Sequence, residues 1–240
     1  SSYLSHIVIN DYDKAVASFW KAILTEKNRF IDAIYTVPLD INEWKKQKNI
    51  LKTTKKYSFE LGFAAFYLNR TNRSGIINGG PIGGMQQDGQ WNLDARFNRE
   101  ALVGRISNIA ERREDISVYN KDVNSLIFKY VPKYGDKTLI YFDPPYFEKG
   151  KQLYMNYFSE KDHKRIEKSI RENVKCDWLI TYDDAPEIVH IYDKYMIKRY
   201  DLNYSVAKKR IASELMIFPE NGFFPTDEEL KKEKICINLR

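Results

Sequence analysis

A chain of 240 residues that is 43% hydrophobic and 30% charged can bury an ordinary globular core, which excludes a disordered or collagen-like polymer. Lysine and arginine outnumber aspartate and glutamate by 39 to 33, and the resulting net charge of +6 suits a polyanionic partner. Cys176 and Cys236 show no metal-type spacing, no apolar run approaches the roughly 18 residues of a membrane span, and no signal peptide is visible, so a reducing, cytoplasmic setting is the expectation.

Residues 3–10 alternate and then run apolar, which predicts a strand ending at Asn10-Asp11. Asp13 then caps a helix in which Ala15, Val16, Phe19, Trp20 and Ile23 recur at helical spacing. A carboxylate such as Asp11, at the carboxyl end of a strand and before a helix, is where nucleotide-binding α/β folds hold ribose hydroxyls, although a simple cap explains the same pair.

The strand–helix alternation lapses between residues 26 and 113. Helical patterns cover residues 26–35, 41–52, 59–69 and 99–112, with a long glycine-rich loop over 75–89. Over residues 39–115 there are 13 basic and 9 acidic residues, so this third of the chain carries +4 of the +6. Lysines on a helix often mark only a solvated face. Here Lys45, Lys48, Arg70, Arg73, Arg96 and Arg105 accompany Trp44, Tyr57, Tyr67 and Trp91 and several amides, the mixture that touches phosphates and bases.

Residues 116–119 resume the strand pattern and end at Asn120-Lys121-Asp122, before a helix over 123–130. Residues 138–142 form a short apolar strand that stops at Asp143-Pro144-Pro145-Tyr146, because two consecutive prolines cannot continue a strand. A carboxylate, a stiff turn and an aromatic ring thus follow the strand's carboxyl end, the edge where open α/β sheets bind ligands. A polar, aromatic loop over 147–157 is suited to closing over a substrate. Ser159, with Asp162, caps a helix over 160–172; His163 in its first turn reads as structural rather than as a general base. Residues 178–182 form another buried strand ending at Asp183-Asp184, a pair explained by a strand end and a helix cap, before a helix over 186–192. Two closing strands, 196–202 and 214–218, are joined by the basic turn Lys208-Lys209-Arg210, and residues 219–240 read as a charged tail. Four of these strands end in a carboxylate, and one mostly parallel sheet with Asp11, Asp122, Asp143 and Asp183 on a common edge is expected.

This order of strand–Asn-Asp–helix, basic insertion, strand–Asn-x-Asp, strand–Asp-Pro-Pro-Tyr, Phe-Ser-x-x-Asp-His and Ile-Thr-Tyr-Asp-Asp resembles the Dam-type adenine-specific DNA methyltransferases from about Tyr3 to Phe218. The segment YLNRTNRSGIINGG (residues 67–80) and Arg96-Phe97-Asn98 are similar to that family's target-recognition part. The resemblance implies an α/β, Rossmann-like methyltransferase sheet from residues 1–38 and 116–218, a mainly helical DNA-recognition insertion over 39–115, and S-adenosylmethionine as methyl donor. It implies catalytic roles for Asp143, Pro144, Pro145 and Tyr146, and cofactor contacts from Asp11, Asn120, Asp122 and Asp143. DNA contacts would come from Arg70, Arg73, Arg96 and Asn98, and Phe158 would line the substrate pocket; the chemistry needs no metal. The family's first strand and its Phe-x-Gly-x-Gly loop would precede Ser1, so the first strand of the sheet is missing from the sequence given. The expectation is a piece of a longer protein, a protein completed by a second chain, or an inactive DNA-binding remnant. Duplex DNA is the implied partner, with a cognate restriction endonuclease as a further one; RNA adenine or a protein amide are substrates of related tetrads.

Overall fold

The computed structural model describes residues 4–148, 158–204, 210–222 and 226–233. The loop expected over 147–157 therefore falls largely outside the described residues, as do Lys208, Lys209 and the end of the tail. By packing, the chain divides into two units, Ser1–Asp122 and Val123–Arg240.

In the first unit the helical periodicities resolve into α1 (Lys14–Thr25), α2 (Lys27–Thr36), α3 (Ile41–Thr53), α4 (Phe59–Thr71) and α5 (Arg99–Glu111). Short polar residues start them: Asp13, Asp40, Ser58 and Asn98 accept N–H bonds from Ala15, Glu43, Leu61 and Ala101, satisfying donors that the first turn leaves without intrahelical partners. Helix α4 is buried on nearly every side, from Leu61 through Leu68, as a helix apolar all round must be. Around it Phe19, Phe30, Phe59, Phe63, Phe66 and Phe97 pack edge-on or offset, with ring centroids 5.2–6.1 Å apart. The helices of residues 39–115 thus share one core with α1 and α2.

Beside these helices β1 (Ile7–Asn10) and β2 (Ile116–Tyr119) pair in parallel, Ile7 opposite Ile116. Two asparagines fasten their carboxyl ends. Asn10 Nδ2 donates to the Lys121 carbonyl and Asn10 Oδ1 accepts the Lys121 N–H, while Asn120 Nδ2 donates to the Asp11 and Tyr12 carbonyls at 2.7 and 2.8 Å.

The second unit runs α6 (Val123–Lys129), β3 (Leu139–Phe142), α7 (Glu160–Asn173), β4 (Asp177–Asp183), α8 (Pro186–Ile191), β5 (Met196–Tyr204), β6 (Arg210–Phe218) and α9 (Asp227–Lys232). Its sheet has the order β3-β4-β6-β5, parallel between β3 and β4 and antiparallel thereafter. Helix α7 turns His163, Ile166 and Ile170 inward at helical spacing onto Ile180, Tyr182, Leu215 and Ile217 of the sheet.

The single sheet expected from the strand pattern is replaced by two. Among the described residues β1 pairs only with β2 and β3 only with β4, so nothing joins the two ladders. The predicted element types hold along the chain, and the expected loose glycine loop is instead a scaffolded one. Asn72, fully buried, accepts Trp44 Nε1–H at 2.7 Å and donates to the Ile76 and Ile77 carbonyls. Gln87 donates to the Ile82 and Gly84 carbonyls and accepts the Leu93 N–H. No helix among the described residues is long and apolar enough to cross a membrane.

Gly62 is where α4 meets α1 most closely. A Cβ there would stand 2.6 Å from the backbone carbon and oxygen of Ser18 and 2.7 Å from the Phe19 nitrogen. Backbone cannot step aside as a side-chain tip can, so Gly62→Ala should destabilise the first unit by about 1–3 kcal/mol, the usual cost of overpacking. Urea unfolding measures this, and unchanged stability would refute the close packing of α1 and α4.

Candidate active site

The turn after β3 is built from residues that leave few backbone donors to satisfy. Pro144 and Pro145 contribute no N–H, so the next amides must find partners. Phe147 N–H donates to Asp183 Oδ1 at 2.7 Å and Glu148 N–H donates to Asp183 Oδ2 at 2.8 Å. Asp183 is the last residue of β4 and is buried, and both of its oxygens serve the neighbouring turn. The ring of Phe147 is buried against His163, centroids 5.5 Å apart.

A second carboxylate holds the tetrad's ring. Tyr146 O–H donates to Glu214 Oε2 at 2.8 Å, and Tyr200 O–H donates to the same oxygen at 2.8 Å. Glu214, on β6, lies opposite both Asp183 of β4 and Tyr200 of β5. Directly opposed residues project from the same face, so Asp183, Glu214 and Tyr200 form one transverse row. Glu214 is 1% exposed, a placement that a carboxylate tolerates only when hydrogen-bonded.

Asp143 opens to solvent, while Pro144, Pro145 and Tyr146 are half-buried. Desolvation on its protein side, and then the nearby charge of Glu214, push the Asp143 carboxyl above the usual carboxylate range. Burial, reinforced by the bond to Glu214, pushes the Tyr146 phenol far above its ordinary value, so it remains a protonated donor at neutral pH. The turn thus presents an acidic acceptor, a proline carbonyl and a tethered aromatic ring at a strand's carboxyl end. A flat heterocycle bearing an exocyclic amine has matching donors and a matching face.

The other candidates in this unit fall into place around that row. His163 is fully buried, with Nδ1 3.0 Å from the Tyr182 hydroxyl and its ring between Phe147 and the half-buried Phe158. The pair Asp183-Asp184 is a correction: neither side chain caps α8, whose N-cap is Ala185. Asp183 holds the turn, and Asp184 pairs with Arg199 at 3.0 Å. Glu214 is not at a strand start, since β6 begins at Arg210 and buries it mid-strand. A lone acid inside the apolar run Ser213–Phe218 was the available signal for it; Tyr200 and Asp183 gave none beyond their strand positions.

In the first unit, Asp11 follows β1, half-buried, its Oδ1 accepting the Asp13 N–H at 2.8 Å, and Asp122 is half-buried just past β2. The arginines gather at the loop after α4. Arg70 Nε and Nη2 donate to Asn69 Oδ1, Asn69 Nδ2 donates to the Gly75 carbonyl, and Arg96 donates to the Asn72 carbonyl. Ser74 and Gly75 both adopt positive φ, 55° and 73°, which turns the chain tightly beneath Arg96. Partial burial, then the charges of Arg96 and Arg105, lower the proton affinity of Arg70, so three guanidinium groups share one patch. Arg73 and Arg96 are exposed, Asn98 caps α5, and Lys48 is committed to the Ile77 and Gly79 carbonyls.

Asp183→Asn tests how the turn is held. An amide cannot accept at both ends, so one backbone N–H would face another donor at a cost of about 1–3 kcal/mol. Denaturant unfolding should show that loss, and full retention of stability would contradict the two-amide clamp.

Residues 3–206 match the family model of the D12 class N6 adenine-specific DNA methyltransferases, a span that holds the strand-end carboxylates, the arginine patch and the Asp-Pro-Pro-Tyr turn. No curated protein matches the chain significantly. With most of its length accounted for by that model, and with the tetrad poised at the end of β3, the chain belongs to the D12 class of N6 adenine-specific DNA methyltransferases.

Proposed function

We propose that the protein transfers a methyl group from S-adenosylmethionine to the N6 amine of an adenine flipped out of duplex DNA at specific sites. The observation that carries this reading is the Asp143–Tyr146 turn, clamped by Asp183 and tethered by Glu214 in a chain of this family. A target amine inside the duplex is unreachable, so the base is unstacked at a cost of a few kcal/mol. Its nitrogen is a poor nucleophile while the lone pair is delocalised into the ring. The Asp143 carboxylate and the Pro144 carbonyl accept the two amine N–H bonds and draw the nitrogen toward tetrahedral geometry. Tyr146 stacks on the base, and Phe158 lines the pocket. When bound, S-adenosylmethionine supplies an activated methyl group on a sulfonium centre. Catalysis by the protein is then positioning and charge stabilisation.

The donor set suits the cofactor. A carboxylate after a strand accepts ribose hydroxyls, which assigns Asp11 to the ribose, Asn120 and Asp122 to the adenine moiety and Asp143 to the methionine end. Asn120 also fixes the Asp11–Tyr12 backbone through its own two N–H bonds. Residues 39–115 serve as the target-recognition part, with Arg70, Arg73, Arg96 and Asn98 as DNA contacts.

The test is tritiated methyl incorporation into duplex DNA, using the protein expressed from its complete reading frame, alongside calorimetric cofactor titration. Asp143→Ala should abolish transfer, Tyr146→Ala should impair it with cofactor affinity less affected, and Asp11→Ala should act mainly by weakening cofactor binding. A parental rate in Asp143→Ala would refute the mechanism. Replacing Arg70, Arg73 and Arg96 with Ala should lower the slope of log affinity against log salt by about 2–3, roughly one per phosphate contact. An unchanged slope would remove those arginines from the interface. Salt-dependent DNA binding with no methyl transfer under any condition would leave the protein a DNA-binding remnant.

A further inference from the structure

The tetrad's backbone and its ring are held by different carboxylates, and the second has no role in the chemistry above. Asp183 fixes the chain at Phe147 and Glu148, which leaves the Tyr146 ring its two side-chain torsions. The phenol bond to Glu214 removes both. Tyr200 brings a second phenol to the same Glu214 oxygen, and the register of β5 and β6 sets those two residues directly opposite each other. We propose that Glu214 is a positioning residue of the methyl-transfer site: its carboxylate, braced by Tyr200, fixes the Tyr146 ring and places a second negative charge beside Asp143. The proposal rests on the reading that the tetrad receives an adenine amine.

Stability alone does not call for an acid at this position. Leu215 and Ile217 around it are fully buried, and an apolar side chain serves a buried strand at lower desolvation cost. What a carboxylate adds is direction, since O–H bonds to an ionised acceptor are short and well aligned. The groups that face Glu214 are Asp183 from β4, Tyr200 from β5, and Asp143 and Tyr146 from the turn. Its charge stands second only to desolvation among the influences that raise the Asp143 carboxyl. Removing that charge should therefore move the Asp143 titration down, toward an ordinary aspartate.

The experiment compares Glu214→Gln, Tyr200→Phe, Tyr146→Phe and the Tyr146→Phe/Glu214→Gln double variant in the protein expressed from its complete reading frame. Carbon-13 carboxyl NMR, assigned with Asp143→Asn, follows the Asp143 titration. It should move down in Glu214→Gln and stay in place in Tyr200→Phe and Tyr146→Phe. Methyl transfer adds a second readout: each of Glu214→Gln and Tyr146→Phe should lower kcat about 10- to 100-fold, the scale of a misplaced reacting group, with KM for DNA within about twofold. The double variant should be no slower than the slower single, because both remove the same tether. If Glu214→Gln fails to fold, Tyr200→Phe carries the test through a smaller fall in kcat at unchanged KM, and a parental kcat there overturns the proposal. An unmoved Asp143 titration in Glu214→Gln, or losses that multiply in the double variant, overturns it as well. A parent protein without methyl transfer would instead count against the proposed function, while the titration would still decide the role of Glu214.

Discussion

One carboxylate accepting two successive backbone amides is the constraint on which the site depends. A chain leaving β3 through two prolines has no ladder to follow, and Asp183 gives it the first fixed point. That bond pair requires β4 to end level with the turn, which the parallel register of β3 and β4 provides. The antiparallel register of β4 and β6 then sets Glu214 beside Asp183, and β5 adds Tyr200 to the row. Core packing under the row, by His163, Ile166 and Ile170 of α7, holds the three strands at these levels. The site is thus a consequence of sheet register, and rigid elements position catalytic groups better than loops do.

The placement carries an electrostatic cost. Burying Glu214 within reach of Asp143 sets two acids against each other, and the structure relieves this by hydrogen bonding Glu214 to phenols and leaving Asp143 open to water. The first unit solves a similar problem with the opposite sign. Arg70, Arg96 and Arg105 crowd together at a loop whose shape is fixed from beneath by Asn72 and Gln87, so its cations are presented on a firm base. A patch of that kind attracts a polyanion, in keeping with the DNA substrate of the family to which the chain belongs.

Much of this was legible in the amino-acid order because the signals are local. Periodicity and short polar caps such as Asp40, Ser58 and Ser159 mark the helices to within a residue or two, and the prolines of the tetrad mark the end of β3. What was not legible depends on partners distant in sequence. Asp183 looks like a helix cap until β3 lies beside it, and Glu214 looks like the first residue of a strand until pairing with β5 extends that strand to Arg210. The single sheet failed for the same reason: each strand pattern states its own ends but not its neighbours, and β1 and β3 found one neighbour each. The glycine loop read as loose because nothing in its composition reveals two buried amides serving its carbonyls.

The central claim is that the turn after β3 presents an amine-accepting carboxylate to adenine. Mass spectrometry of nucleosides is its most direct measure, using methylation-free duplex DNA incubated with the protein and S-adenosylmethionine bearing a deuterated methyl group. The account predicts labelled N6-methyladenine with the parent protein and none with Asp143→Ala. Label in cytosine, or equal label in adenine from both proteins, would contradict it.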